Sequence, residues 1–196
     1  MRMILASGSP RRKELLGNMG FSGFTVLKPD FDEDAVTAPD PGGLVEALSA
    51  GKAEAAAREV SDPEALLLAA DTVVVLDGAV LGKPRDEADA FRMLSALSGR
   101  THRVYTGVTL RRGGEVLTGH EVSEVTFRSL TEEEIRNYIA TKEPMDKAGA
   151  YGIQGLGALL VEGIRGDYFN VMGLPVCRLG TMLKQFDVDC LRRAAE

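Results

Sequence analysis

The eleven residues Leu66-Leu67-Leu68-Ala69-Ala70-Asp71-Thr72-Val73-Val74-Val75-Leu76 constrain the fold more than any other stretch of the chain. A near-continuous apolar run of this length, ending in β-branched residues, reads as a strand in the middle of a sheet, buried on both sides. Asp71 interrupts it with a carboxylate. An unpartnered buried carboxylate is costly, so Asp71 has to be paired, metal-bound or protonated. A strand aspartate in a purely structural ion-pair network meets the same requirement. Asp77-Gly78 fits a two-residue hairpin turn, after which Ala79-Val80-Leu81-Gly82-Lys83-Pro84 returns alongside. With that turn Leu76 faces Ala79, and Lys83 falls opposite Thr72, next to Asp71. A strict pleat sends Asp71 and Lys83 to opposite faces, so they share a site only if twist or a bulge re-aims one.

The other informative stretch lies near the start, at Leu5-Ala6-Ser7-Gly8-Ser9-Pro10-Arg11-Arg12-Lys13-Glu14-Leu15-Leu16. Met1 to Ala6 reads as a short strand, with Arg2 exposed. Ser7-Gly8-Ser9 turns the chain into a helix carrying Leu15, Leu16 and Met19. Ser9 is a good N-cap and Pro10 suits the first helical position. Arg11, Arg12 and Lys13 then crowd the positive end of the helix dipole, a slightly unfavourable arrangement unless an anion such as phosphate sits there. The alternative is a capped surface helix with solvated cations. No Walker loop is present.

Between these segments Phe24 to Leu27 reads as a short strand, and Lys28 to Gly43, with three prolines, as a loop. Its acidic residues Asp30, Asp32, Glu33 and Asp34 are either a solvated run or a source of oxygen ligands for a hard divalent cation. Leu44 to Val60 is an alanine-rich helix whose apolar stripe, Leu44 and Leu48, continues into Lys52. That lysine either snorkels to water or meets phosphate as a compact charge.

Beyond the hairpin, Asp86 to Leu97 is an amphipathic helix ending at Gly99. His102 to Leu110 and Glu115 to Phe127 are two strands joined at Arg111-Arg112-Gly113-Gly114. His102 and His120 lack a second metal ligand at suitable spacing and read as ordinary surface or strand histidines. Thr131-Glu132-Glu133-Glu134 is a capping box opening a helix to about Thr141. In Asp146 to Gly157 four glycines oppose regular helix or strand and let backbone approach a ligand. Gln154 there offers one donor and one acceptor, the complement of the O4 and N3–H edge of uracil or thymine. Ala158 to Ile164 reads as a strand, a loop holds Gly166, Asp167 and Asn170, and a last helix runs from Leu174 to about Phe186. Arg192 to Glu196 reads as a loose tail.

A chain of 196 residues suits one domain or two closely packed lobes. Its formal net charge of −6 argues against broad nucleic-acid binding, which needs a basic face, while leaving room for a local cation cluster. Two cysteines, Cys177 and Cys190, give neither a disulfide framework nor metal-ligand spacing, so a reducing cytoplasm is expected. No apolar run approaches the roughly 20 residues that span a bilayer, and no signal peptide precedes the first strand.

Taken together, Leu5-Ala6-Ser7-Gly8-Ser9-Pro10-Arg11-Arg12, Ala70-Asp71-Thr72 with Gly82-Lys83-Pro84, Leu97-Ser98-Gly99, and Lys147-Ala148-Gly149-Ala150-Tyr151-Gly152-Ile153-Gln154-Gly155 resemble the Maf family of nucleoside triphosphate pyrophosphatases. The likeness runs from about Ile4 to Phe186 with every block in order. The Tyr-Gly-Ile-Gln-Gly form of the last block is similar to the branch that hydrolyses dTTP and UTP, and the branch acting on 7-methyl-GTP differs there. The resemblance implies an α/β fold with a long, mixed, twisted sheet flanked by helices, built as one Maf-like domain of two lobes with a cleft, usually in a homodimer. It implies attack of water on the α-phosphate, giving a monophosphate and pyrophosphate, with a divalent cation, Mg2+ or Mn2+, as cofactor. Asp71 matches the general base. Ser7, Arg11, Arg12, Lys52 and Lys83 match phosphate-contacting positions, with Ser9 beside them in the turn. Arg12, Thr72 and Gln154 match positions tied to base choice, and Glu33, with Asp71, an acidic position near the metal. Action on another modified nucleotide, and a nucleotide-binding role in division or septum formation independent of catalysis, are the alternatives.

Overall fold

The computed structural model describes residues 2–195. Along the chain run β1 (Met3–Ala6), α1 (Pro10–Asn18), β2 (Thr25–Leu27), α2 (Pro41–Glu59), β3 (Leu66–Leu76), β4 (Ala79–Leu81), α3 (Glu87–Leu97), β5 (Thr101–Arg112), β6 (Glu115–Phe127), α4 (Glu132–Ala140), β7 (Val161–Arg165), α5 (Tyr168–Met172), α6 (Val176–Lys184) and α7 (Cys190–Ala195). The fold is α/β, with a seven-stranded mixed sheet in the order β2-β1-β3-β5-β6-β7 and β4 paired to β3. β1 runs parallel to both β2 and β3, whereas β3–β4 and β6–β7 are antiparallel. The chain divides into two compact units, Met1–Asp71 with Thr106–Glu121 and Gly173–Glu196, and Thr72–Tyr105 with Val122–Met172.

In the first unit, the small residues Ala53 and Ala56 of α2 pack on Ile4 and Ala6 of β1 and Leu67 and Ala69 of β3. Small side chains let helix and sheet approach closely. Gly107 of β5 takes this to its limit, since a Cβ there would lie 2.1 Å from the Val45 carbonyl oxygen of α2. Residues Leu67, Ala69 and Asp71 alternate onto one face of β3, so the strand period itself aims Asp71 toward α2. The helix starts earlier than the apolar stripe suggests. Asp40 caps it by accepting the Gly43 N–H at 2.9 Å, and Pro41, expected in the loop, takes the first position.

The second unit is built around Val74 and Leu76 of β3, Leu94 and Leu97 of α3, Phe127 of β6 and Tyr138 of α4. Asp77 and Gly78 both adopt positive φ, and the hairpin pairs Leu76 with Ala79 as expected. Pairing ends at Val74–Leu81, so the expected Thr72–Lys83 partnership is not formed. The capping box is present, with Thr131 Oγ1 accepting the Glu134 N–H and Glu134 accepting the Thr131 N–H at 2.8 Å.

Several segments differ from expectation. Residues Ala148–Ala150 and Gly155–Leu160 form 3-10 turns despite their glycines, and the strand expected from Ala158 begins only at Val161. Gly157 explains part of this, because it lies against the Gly152 carbonyl and the Tyr138 hydroxyl where no side chain fits. Asn170, expected in a loop, sits in the short helix α5. Gly173, at φ +106°, ends that helix, and Pro175 takes the N-cap position of α6. The expected tail is helical over Cys190–Ala195; Glu196 lies outside the described residues, as does Met1 of the first expected strand. Among the described residues no helix is long and apolar enough to cross a membrane.

Candidate active site

Several expected residues meet in the first unit through two linked arrangements. At the β1–α1 turn the buried Ser7 hydroxyl accepts hydrogen bonds from the Ser9 N–H at 3.2 Å and from Arg12 Nη1 at 3.1 Å. Arg12 Nε also donates to the Gly173 carbonyl at 2.7 Å. Ser9 caps α1 by accepting the Arg12 N–H, with Pro10 at the first position, as the sequence predicts. Two anchors on one guanidinium fix its plane, which a flexible surface arginine would not have.

The second arrangement centres on Lys52. Its ammonium lies 2.5 Å from Asp71 Oδ1 and 3.0 Å from Glu33 Oε1, so one cation joins helix α2, strand β3 and the acidic loop. Both Lys52 and Asp71 are nearly buried, whereas the Glu33 side chain is 52% exposed. The lysine therefore does not snorkel to water. Burial lowers the Arg12 pKa, Asp71 pulls it back up, Arg11 lowers it further and Glu33 raises it. The guanidinium nonetheless stays charged. Ser7, Arg11, Arg12, Glu33, Lys52 and Asp71 thus form one electrostatic neighbourhood.

Glu33 and Asp71 supply hard oxygen donors. Among the described residues no group of three or more His, Cys, Asp or Glu side chains is placed to hold a metal. Mg2+ is commonly bound by one or two carboxylates together with water and substrate phosphates. The pair therefore fits such an ion in company with a phosphate substrate, and does not form an all-protein cage.

Thr72, Lys83 and Gln154 belong to the second unit. Lys83 is exposed just past the β4 ladder, and Gln154 is half-buried before the Gly155–Leu160 turn. The Gly149 N–H donates to the Gly82 carbonyl at 3.0 Å, and a Cβ at Gly149 would lie 2.9 Å from Val74 Cγ2. The loop leading to Gln154 accordingly packs on the segments that carry Thr72 and Lys83.

Other residues around these positions were not evident in the sequence. Phe31 lies against Gly51, where an added Cβ would come within 2.3 Å of the ring. It pins the acidic loop to α2 one residue from Lys52. The clue was a glycine inside an alanine-rich helix, since such a glycine costs about 1 kcal/mol and implies a packing reason. His102, read as a surface or strand histidine, is in β5 but fully buried. Its Nε2 lies 2.8 Å from the Tyr151 hydroxyl, and burial lowers its pKa to about 4. His120 lies in β6 with Nδ1 2.7 Å from Glu46.

The profile of a family described as "Maf-like protein" matches residues 2–186. A protein of Symbiobacterium thermophilum named dTTP/UTP pyrophosphatase is 55% identical over 185 residues, covering 94% of each chain. A Moorella thermoacetica protein of the same name is 53% identical over 191 residues and covers 96% of each chain. A solved structure of a HAM1 protein from Coxiella burnetii covers 94% of this chain and 99% of its own, with TM-score 0.54 and 18% identity, a likeness of fold alone.

Proposed function

The chain belongs to the Maf-like protein family, and from that premise we propose that it is a pyrophosphatase converting dTTP and UTP to the monophosphate and pyrophosphate. The observation that carries this reading is the grouping of Asp71, Lys52 and Glu33 beside an anchored Arg12. A lone buried acid among cations suits a reaction in which a polyanion is held and water is activated.

Asp71 accepts a proton from water as the water oxygen bonds to the α-phosphorus. The bond from that phosphorus to the bridging oxygen breaks, and pyrophosphate departs with the electron pair. Arg11, Arg12, Lys52 and Lys83 contact phosphate, with the Ser7 hydroxyl and the turn at Ser9 completing the grip. Charge-stabilising groups fixed before the reaction typically contribute several kcal/mol. A divalent cation, Mg2+ or Mn2+, held by Asp71 and Glu33 would neutralise phosphate charge. Thr72, Gln154 and Arg12 set base choice, with the Gln154 amide matching the O4 and N3–H edge of thymine or uracil. A cytoplasmic location and a homodimer complete the proposal, and sedimentation equilibrium tests the homodimer.

The test is pyrophosphate release from a panel of nucleoside triphosphates, run on wild type and Asp71→Asn. Wild type is expected to favour dTTP and UTP. Asp71→Asn should lose at least about 100-fold in kcat, as expected for removal of a general base, while still binding nucleotide. Wild-type turnover in that variant, or a preference for a purine triphosphate, would sink the assignment.

A further inference from the structure

Glu143, in the 3-10 turn after α4, has no role in the reading above, yet its carboxylate is engaged by the glycine-rich loop. Oε1 accepts the Tyr138 hydroxyl at 3.0 Å and the Gly157 N–H at 2.9 Å, and Oε2 accepts the Leu156 N–H at 3.1 Å. The Tyr138 hydroxyl in turn accepts the Gly152 N–H at 3.2 Å. Gln154 therefore sits between two pinned pieces of backbone, Gly152 on one side and Leu156-Gly157 on the other.

The glycines show how tightly this is closed. Gly155 has φ +66°, and a Cβ there would lie 2.8 Å from Glu143 Oε2. At Gly157 a Cβ would lie 2.1 Å from the Gly152 carbonyl oxygen and 2.6 Å from the Tyr138 hydroxyl. Burial pushes the Glu143 carboxyl up, but the Gly157 and Leu156 amides, the Tyr138 hydroxyl and Lys147 outweigh it and the net shift is downward. An ionised carboxylate makes stronger hydrogen bonds to backbone N–H groups than a neutral acceptor does. A single amide can tell one base edge from another only when it is held to within about 0.5 Å. Loop glycines would otherwise leave it free.

We propose that Glu143 and Tyr138 are positioning residues for base choice, holding the backbone on either side of Gln154 so that its amide faces one pyrimidine edge. This rests on the reading of Gln154 as the residue that meets the base. The experiment measures kcat and KM for dTTP, UTP, dCTP and dATP in Glu143→Gln, Tyr138→Phe, Gln154→Ala and the Glu143→Gln/Gln154→Ala pair. Each single variant is expected to lower the dTTP-over-dCTP ratio of kcat/KM about tenfold, carried by KM for dTTP rather than by kcat. The pair should be no less selective than Gln154→Ala alone. If Gln154→Ala erodes selectivity while Glu143→Gln and Tyr138→Phe keep it, the positioning role is overturned. A uniform loss across all four nucleotides also overturns it, as a merely structural effect. Unchanged selectivity in Gln154→Ala removes instead the reading of Gln154 itself. Tyr138→Phe loses one oxygen only, so it decides the matter if Glu143→Gln does not fold.

Discussion

Lys52 shows how one side chain can be both structural and chemical. Its ammonium pairs with two carboxylates, one of them nearly buried, so replacing it leaves buried Asp71 without its directly bonded cation. Breaking such a pair from one side is costly, whereas removing both charges is much less so. Lys52→Met is therefore expected to destabilise the fold by about 3 kcal/mol, and Lys52→Met/Asp71→Asn to recover most of it, as read from urea unfolding. His102 gives a second residue-scale prediction. Its folded pKa of about 4 lies below the ordinary 6.5, because burial disfavours the imidazolium. The unfolded chain takes up the proton first as pH falls. The contribution is thus complete above pH 6.5 and drains away toward pH 4, in total by about 3 kcal/mol at about 1.4 kcal/mol per unit. His102→Gln should flatten the stability curve over that window.

At the scale of elements, the packing of Phe31 on Gly51 ties a loop to a helix, and through it Glu33 to Lys52. Gly51→Ala raises helix propensity by about 1 kcal/mol and displaces the ring, at an overpacking cost of about 1–3 kcal/mol. The net change in stability should be small. Because Glu33, the proposed metal ligand, moves with the loop, the Mg2+ concentration giving half-maximal activity should rise several-fold if the proposal holds, and a metal titration checks this. Elements with a local signature were legible from sequence, among them the Ser9–Pro10 start of α1, the Asp77-Gly78 hairpin and the Thr131 box. The apolar run of β3 likewise told that Asp71 needs a partner, but the hairpin register pointed to Lys83, and the pairing with Lys52 is a finding of the structure. What could not be read was set by distant contacts. The 3-10 turn at Gly155–Leu160 depends on Tyr138 and Glu143, and α5 is anchored by the Asn170 side chain donating to the Val104 carbonyl at 3.0 Å. Neither partner is close in sequence, so propensity alone gave a strand and a loop.

At the scale of the whole molecule, a net charge of −6 repels a triphosphate at long range, while the proposed phosphate contacts Arg11, Arg12 and Lys52 would attract it locally. Salt screens exposed charges over about 8 Å at physiological strength and shields nearly buried ones less. Raising KCl from about 0.05 to about 0.5 M should therefore shift KM by only a few-fold and kcat hardly at all, in contrast to the steep salt dependence of a surface-patch binder. Of the two compact units, the first holds the proposed base, Asp71, and the second the loop carrying Gln154. Gly107, bare against the Val45 carbonyl, has a reach beyond its own strand. In a saturation library selected for activity, codon 107 should come back as glycine alone, because even one methyl group there would pry α2, and the lysine it carries, away from the acid it serves.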